Sequence, residues 1–289
     1  MLGMALCIIE APINAAESPI RPGDHIAFVG NTFADQLRSH GFLETLLLQR
    51  SAGNPVSIRN LGWAGDMLTA RDRPTNFPTE ASTLAAHKTD VIIACFAMGE
   101  SFAGESALVE FKNNLAAFIA SHLGKKYNGK SEVRLVLVSP IAYENLGLRT
   151  PRWQERNREL SAYTRIMSET ASKMGVPFVD LYGPTTELIK DKNTPSLTDN
   201  GINLNDYGYW CVSRTLADAL LPGEAPWLLS LDAKTGRASG RGANISDVKS
   251  KDKTLSFAVQ ELAWPSLAAP VKGQGHSQLK RNLDQLIIK

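Results

Sequence analysis

Paired cysteines and long apolar runs are both scarce in this sequence. No window beyond the N-terminal segment approaches the ~20 consecutive apolar residues of a membrane-spanning helix, so we expect no membrane span. The three cysteines, Cys7, Cys95 and Cys211, lie far apart and no histidine accompanies them. This spacing excludes a disulfide framework and a cysteine metal motif. We expect Cys95 and Cys211 to pack in the core as small apolar residues.

Blocks of one charge are also missing. The 31 basic and 29 acidic residues give a formal charge of +2 and are spread along the chain. A protein that follows a phosphate backbone needs a basic block or a basic stripe interleaved with aromatic residues. We therefore exclude nucleic acid as a partner, find no sign of a metal or organic cofactor, and assign no oligomeric state.

The N-terminal residues 1–16 combine an apolar run with the small residues Asn14-Ala15-Ala16, which a signal peptidase accepts. We expect them to be a signal peptide and the protein to be exported, to the periplasm or beyond the cell. A buried or disordered N-terminal arm is the alternative, because Glu10 and Pro12 interrupt the run and no basic residue precedes it.

Residues 22–221 alternate short apolar runs with segments of helical periodicity, within a chain of 289 residues that is 43% hydrophobic. Repeated alternation of this kind predicts a parallel sheet between two layers of helices, an α/β fold. The predicted strands are 26–29, 56–60, 90–96, 133–138 and 176–181, and the predicted helices are 33–50, 80–88, 105–123, 153–174 and 206–220.

Residues 222–289 form a linker and a small β-containing tail. Segments 227–231 and 254–259 alternate apolar and polar residues as strands do. Two strands cannot form an independent core. The tail therefore either docks on the main domain or is the remnant of a larger appended domain.

Polar residues follow three of the predicted strands within a few residues. In a parallel sheet, ligands and catalytic groups gather at the carboxyl ends of the strands. We therefore expect a site at this edge. The candidates at the strand ends are Asn31, Thr32, Asp66, Glu100 and Ser101.

The segments 30–32, 60–66, 97–101 and 200–205 resemble the four sequence blocks of the SGNH, or GDSL-type, hydrolases in order and spacing. The resemblance spans residues 24–220. It implies a flavodoxin-like fold and hydrolysis of esters, thioesters or acetyl groups on carbohydrates, hence a small-molecule or carbohydrate ester ligand. The chain also resembles a variant group in planctomycete-type bacteria, in which this domain begins exported multidomain proteins.

The same resemblance implies a role for one residue at each catalytic position, and most of these residues differ here. Gly65 matches the glycine whose amide serves as an oxyanion donor. The other positions carry Thr32 for the serine nucleophile, Asn31 for the aspartate before it, Gly99 for the oxyanion asparagine, and Asn200 and Asn203 for the aspartate and histidine.

A hydroxyl nucleophile needs a group that accepts its proton. The Asn203 amide cannot accept one, and Asn200 cannot stabilise an imidazolium as a carboxylate does. The five histidines of the sequence do not replace them. His25 and His87 are expected at the amino edge of the sheet, His40 about 12 Å along a helix from Thr32, and His122 at the far edge, while His276 in the tail is unplaced.

Two functions of different classes follow. The first is a ligand-binding scaffold, with glycan as a candidate ligand, in a cleft made by Asn31, Thr32, Asp66, Glu100, Ser101, Asn200 and Asn203. The second is an active esterase with Thr32 as nucleophile and Glu100 as a rewired base. Asn31 and Thr32 also have a structural alternative as helix N-caps. A spacing or docking role within a larger protein is a third option.

Overall fold

The computed structural model describes residues 18–224, 226–251, 254–264, 266–270 and 285–288. The predicted signal peptide, Cys7 and His276 lie outside these residues. A five-stranded parallel sheet in the order β2-β1-β3-β4-β5 forms the centre of the fold. This is the flavodoxin-like strand order and confirms the predicted α/β class. The strands are β1 (His25–Gly30), β2 (Ser57–Asn60), β3 (Val91–Cys95), β4 (Arg134–Val138) and β5 (Phe178–Val179).

The central strands are apolar on both faces because helices cover both faces of the sheet. All residues of β3 are buried. In β1, Ile26 and Phe28 join one apolar cluster, whereas Ala27 and Val29 join a second cluster on the opposite face. Cys95 and Cys211 are buried free cysteines, as predicted.

Helices α5 and α7 have the bounds that periodicity predicts, but the predicted helix 33–50 is two helices. Gly41 lies between them with φ +63°, a left-handed conformation that ends the first helix through its N–H bond to Leu37. The helices are α1 (Thr32–His40), α2 (Phe42–Arg50), α3 (Glu80–Ala86), α4 (Leu108–His122), α5 (Trp153–Met174), α6 (Tyr182–Lys190) and α7 (Asp206–Leu220).

The C-terminal region has more strands than the sequence predicts. It contains a three-stranded sheet in the order β10-β6-β7 and a separate β8-β9 hairpin. Trp210 of α7 donates its indole N–H to the Leu267 carbonyl at 2.9 Å, so the region contacts the main domain. The strands are β6 (Leu228–Leu231), β7 (Ala238–Arg241), β8 (Ala243–Lys251), β9 (Thr254–Glu261) and β10 (Gln285–Ile288).

Among the described helices, none is long and apolar enough to cross a lipid bilayer.

His122, the last residue of α4, makes the stability of the folded chain depend on pH. Its side chain is buried, with Nδ1 3.0 Å from the Tyr127 hydroxyl. Burial, with the nearby charges of Arg71 and Lys125, lowers the pKa of His122 to about 4. The unfolded chain therefore binds a proton between about pH 6.5 and pH 4 that the folded chain does not, and stability falls as the pH falls through this window.

The contribution of His122 can be measured with His122→Leu. We expect the natural chain to lose about 2 kcal/mol more unfolding free energy than this variant between about pH 7.5 and about pH 4.5. Urea unfolding of both proteins at the two pH values gives the loss of unfolding free energy for each. Subtracting the loss of His122→Leu from that of the natural chain removes the contribution of the titrating groups that the two proteins share. Equal losses in the two proteins would show that His122 protonates with an ordinary pKa.

Candidate functional site

A cavity of about 130 Å³ opens at the carboxyl edge of β1, β3 and β4. We call it the Thr32 cavity. It brings together Thr32, Gly65, Gly99 and Asn203, as the family resemblance predicts, and also Asn31 and Asp66. The lining residues are Asn31, Thr32, Phe33, Gly65, Asp66, Cys95, Phe96, Met98, Gly99, Phe102, Ser139, Pro140, Ile141, Ile202 and Asn203.

The turn from β1 to α1 places Thr32 at the cavity. Gly30 has φ +135°, and a Cβ there would lie 2.1 Å from the Cys95 carbonyl oxygen, so only glycine fits. Asn31 caps α1, because its side-chain oxygen accepts a hydrogen bond from the Phe33 amide at 3.0 Å. Asn31 is thus the N-cap, and the half-buried Thr32 starts the helix with its side chain at the cavity wall.

Gly65 directs its amide at the Thr32 hydroxyl. The Gly65 N–H donates to Thr32 Oγ1 at 3.2 Å, and the backbone reaches this position with φ +85°. When a hydroxyl oxygen attacks a carbonyl carbon, the oxyanion forms on the carbonyl oxygen, which is bonded to that carbon and so lies two bonds from the nucleophile oxygen. The one catalytic position that keeps the residue of the family therefore lies where an oxyanion donor belongs.

None of the histidines in the described part of the chain lines the Thr32 cavity. His25 begins β1 with Nδ1 2.6 Å from the His87 carbonyl, so both lie at the amino edge, as predicted. His40 ends α1 with Nδ1 2.8 Å from an Asp206 carboxylate oxygen. His122 packs its ring against Phe118 in the core. Each of these imidazoles has its partners among residues that do not line the Thr32 cavity.

Asp66 is the carboxylate in the cavity wall, and an arginine holds it. Arg73 donates to both Asp66 oxygens, at 2.9 and 2.6 Å, and Asp66 is 4% exposed. The hydrogen bond to Asp66 raises the pKa of Arg73. The bidentate pair engages both carboxylate oxygens of Asp66 with the guanidinium. The Cys95 thiol, whose pKa is raised by burial, stays protonated.

Glu100 follows β3 but does not line the Thr32 cavity. Its two oxygens accept hydrogen bonds from the Leu68 amide at 2.9 Å and the Ala97 amide at 2.8 Å. Burial raises the pKa of Glu100, and these amide bonds oppose the rise. The side chain instead lines a different cavity, with Tyr163. The structure therefore does not bring Glu100 to the Thr32 hydroxyl.

Ser101 also lies away from the Thr32 cavity. It is fully buried, its hydroxyl donates to the Met98 carbonyl at 2.8 Å, and it accepts from Arg156 at 2.7 Å. Arg156 stacks over Phe102, with 3.9 Å from its Cζ to the ring centroid. Since Phe102 lines the cavity, Ser101 and Arg156 shape the wall without facing the ligand space.

The loop after α6 places Asn203 at the cavity and Asn200 beside it. The Asn200 side-chain oxygen accepts hydrogen bonds from the Ile202 amide at 3.2 Å and the Asn203 amide at 2.9 Å. Asn200 thus holds the turn and does not itself line the cavity. Asn203 is exposed and stands at the cavity mouth.

A buried carboxylate that the sequence did not single out anchors this loop. Glu144 accepts hydrogen bonds from the Leu197 amide at 3.0 Å, the Thr198 amide at 2.7 Å and the Ser196 hydroxyl at 3.0 Å. No local pattern in the sequence marks Glu144, because its partners lie more than fifty residues away. It fixes the loop on which Asn203 stands.

Apolar side chains make a large part of the wall, which the sequence also did not predict. They come from α1, the loop after β3, the segment after β4 and the loop after α6, and include Phe33, Met98, Phe102, Ile141 and Ile202. The strand-end rule that located Thr32 would also have located residues 139–141 after β4. A volume of about 130 Å³ equals the liquid volume of roughly four waters, which suits a small acyl group.

The described residues contain no group of three or more His, Cys, Asp or Glu side chains able to hold a metal ion.

A family model for the GDSL-like lipase/acylhydrolase family matches residues 23–211. No curated protein matches the chain significantly. The narrower resemblance to a planctomycete-type group stays a prediction.

Several solved structures share the fold. The gut microbial diltiazem-metabolizing enzyme BT4096 aligns with a TM-score of 0.61 at 19% identity, over 94% of this chain and 67% of its own. Axe2, an acetylxylan esterase from Geobacillus stearothermophilus, aligns with a TM-score of 0.55 at 16% identity, over 70% of this chain and 96% of its own. LAE5, an alpha/beta hydrolase from the metagenome of Lake Arreo, Spain, aligns with a TM-score of 0.53 at 14% identity, over 71% and 98%.

Proposed function

Because the chain belongs to the GDSL-like lipase/acylhydrolase family, we propose that it binds acyl esters of the kind the family cleaves but does not cleave them. It acts as a ligand-binding scaffold, and its ligand class is acetylated carbohydrate. One observation carries this proposal. In the described part of the chain, the Thr32 hydroxyl lies in an acyl-sized cavity that no imidazole and no unpaired carboxylate lines.

The rate factors that the replaced groups contribute in an active enzyme support a loss of turnover. A general base contributes about 10² to 10⁴ in rate, and an oxyanion donor such as the asparagine that Gly99 replaces contributes about 10² to 10³. Parts of one catalytic unit fail together, so these factors do not simply multiply. Loss of the base alone leaves the hydroxyl a poor nucleophile at neutral pH.

The polar groups present in the Thr32 cavity are suited to hydrogen bonding with an ester. The Gly65 N–H and the amide of Asn203 are neutral donors for an ester carbonyl, and the Thr32 hydroxyl can donate or accept. The apolar wall, with Phe102 and Ile141, suits the methyl of an acetyl group. Axe2, by its name, acts on acetylated xylan, and this is the reason for choosing an acetylated carbohydrate. Export, predicted from residues 1–16, would bring the protein to such a ligand outside the cell.

Calorimetric titration with an acetylated xylo-oligosaccharide tests the proposal, with acetate release measured in the same samples. We expect saturable binding of the acetylated form, weaker binding of the deacetylated form, and no acetate release above the protein-free rate. Protein-dependent release of acetate would overturn the proposal, and so would equal affinity for the two forms.

Thr32→Val removes the hydroxyl and nearly conserves the side-chain volume. We expect it to weaken binding of the acetylated oligosaccharide by about 2- to 10-fold, because one hydrogen bond is lost. Ser106→Ala, in the short 3₁₀ helix Glu105–Ala107, changes an exposed residue and is the matched control; it should leave the affinity unchanged. An unchanged affinity in Thr32→Val would place the ligand outside the Thr32 cavity.

A further inference from the structure

A second and larger cavity, of about 500 Å³, lies beside the Thr32 cavity. Four arginines from three segments line it: Arg38 of α1, Arg59 of β2, and Arg71 and Arg73 of the loop before α3. We call it the arginine cavity. Its volume is within the range of about 300 to 1,000 Å³ that is typical of ligand sites. The catalytic positions of the family contribute nothing to it.

Within the described part of the chain, one of these four guanidinium groups has no acidic partner. Arg38 pairs with Asp35, Arg71 with Glu80 at 2.7 Å, and Arg73 with Asp66 at 2.6 Å. The Arg59 side chain makes no ion pair or hydrogen bond with any residue that the structure describes, and Arg59 is exposed.

The arginines that form ion pairs still have N–H groups that can donate hydrogen bonds to a ligand. A guanidinium carries five N–H groups, and Arg71 uses Nη1 in its bond to Glu80. An anion can therefore bind here without breaking an existing pair. Planar guanidinium groups bind carboxylate, sulfate and phosphate oxygens with two parallel hydrogen bonds, which suits them to such anions.

Two aromatic side chains, Trp63 and Phe77, also line the arginine cavity. Trp63 is 41% exposed and Phe77 is 47% exposed, and their rings meet edge to face with centroids 5.5 Å apart. The Arg73 guanidinium lies over the Trp63 ring, 4.7 Å from its centroid. The Trp63 amide donates to the Gly30 carbonyl at 3.0 Å, which fixes the backbone of the tryptophan. A rigid, exposed indole of this kind gives the apolar C–H face of a sugar ring a large contact area at low entropic cost.

From this juxtaposition we propose that the arginine cavity binds a sugar residue that carries an anionic group, a carboxylate or a sulfate. Arg59 binds the anion and Trp63 stacks on the sugar ring. Nucleic acid fits less well, because three of the four arginines are neutralised and the sequence has no basic stripe. The proposal rests on the proposed function only for the ligand being a carbohydrate ester.

The two cavities are close enough for one oligosaccharide to occupy both. The ion pair between Asp66 and Arg73 connects them, since Asp66 lines the Thr32 cavity and Arg73 lines the arginine cavity. The acetyl group would enter the Thr32 cavity, and the anionic sugar would lie in the arginine cavity. The ligand class is then narrowed from acetylated carbohydrate to acetylated, acidic carbohydrate.

Calorimetric titration of the full chain with three oligosaccharides of equal length tests this, one neutral, one uronic and one sulfated. We expect at least one anionic form to bind about 10-fold or more tightly than the neutral form, with an affinity that falls as salt is added. The uronic and sulfated arms identify the anion. Equal affinities of all three would overturn the proposal, as would tighter binding of a single-stranded DNA oligonucleotide.

Two variants locate the site. Arg59→Gln and Trp63→Ala should each weaken binding of the preferred anionic form by about 10-fold. Arg165→Gln changes the charge equally on an exposed face of α5 and should leave binding unchanged. An equal loss in Arg165→Gln and Arg59→Gln would overturn the proposal, because it would show a general charge effect.

The same titrations separate this proposal from the proposed function. Thr32→Val should keep the preference for the anionic form while losing affinity for the acetyl group. If acetylated neutral sugar binds and the anionic forms gain nothing, only the arginine cavity proposal fails. If the anionic forms bind and acetylation has no effect, only the proposal for the Thr32 cavity fails.

Discussion

Asn200→Asp combined with Asn203→His is expected to raise the rate of p-nitrophenyl acetate hydrolysis by about 10²- to 10⁴-fold over the natural chain. Asn203 and Thr32 line the same cavity, so an imidazole at position 203 supplies the missing proton acceptor. The Asn200 oxygen accepts two backbone amide bonds, and a carboxylate oxygen can accept the same bonds. The turn is therefore expected to keep its shape while the carboxylate stabilises the imidazolium.

Two controls make this result specific. Adding Thr32→Ala should remove the gain, because in the double variant the Thr32 hydroxyl is the nucleophile. Asn203→Gln supplies a polar side chain without a basic nitrogen and should give no gain. A double variant that keeps the melting temperature of the natural chain and gains no activity would show that the proton acceptor is not what the cavity lacks.

Arg156→Met is expected to lower the free energy of unfolding by about 3 to 5 kcal/mol. Arg156 is 6% exposed and donates to the Ser101 carbonyl at 3.0 Å and the Ser101 hydroxyl at 2.7 Å. It also pairs with Glu159, which is largely buried. Methionine fills much of the volume but leaves the carboxylate and the carbonyl without their donor, and this uncompensated burial is the source of the loss.

Urea unfolding measures the Arg156→Met effect, and the same helix offers the control. Arg165 pairs with Glu169 four residues on, and both side chains are more than half exposed. Arg165→Met should change the unfolding free energy by less than about 0.5 kcal/mol. A loss below about 1 kcal/mol in Arg156→Met would show that the network around Ser101 does not hold the loop after β3.

The architecture was predictable because strands covered on both faces read as continuous apolar runs, as in β3. The bounds of α5 and α7 followed from helical periodicity. Periodicity did not reveal the break at Gly41, because apolar residues continue on both sides of the glycine. It also missed α6, whose second and third residues are Gly183 and Pro184.

For the site, the sequence predicted which residues lie at the carboxyl edge of the sheet, which the course of the backbone determines. The strand-end rule placed Thr32 at the carboxyl edge, the family resemblance added Gly65 and Asn203, and the structure has all three at one cavity. The strand-end rule did not fix which way side chains point after β3, where a short 3₁₀ helix at Glu100–Ala103 directs Glu100 and Ser101 to backbone partners. Contacts between distant segments, such as those of Glu144 and Arg156 and the walls of the arginine cavity, have no signature in local sequence.

The most direct test compares the initial rates of p-nitrophenyl acetate hydrolysis by the natural chain and by Thr32→Ala. Both rates are measured at equal concentration near pH 8, after subtraction of the protein-free rate. We expect equal rates, because in the part of the chain that the structure describes no imidazole and no unpaired carboxylate lines the cavity of the Thr32 hydroxyl to remove its proton. A rate that falls in Thr32→Ala, with the fold intact, would show that a working nucleophile is present and would contradict the account.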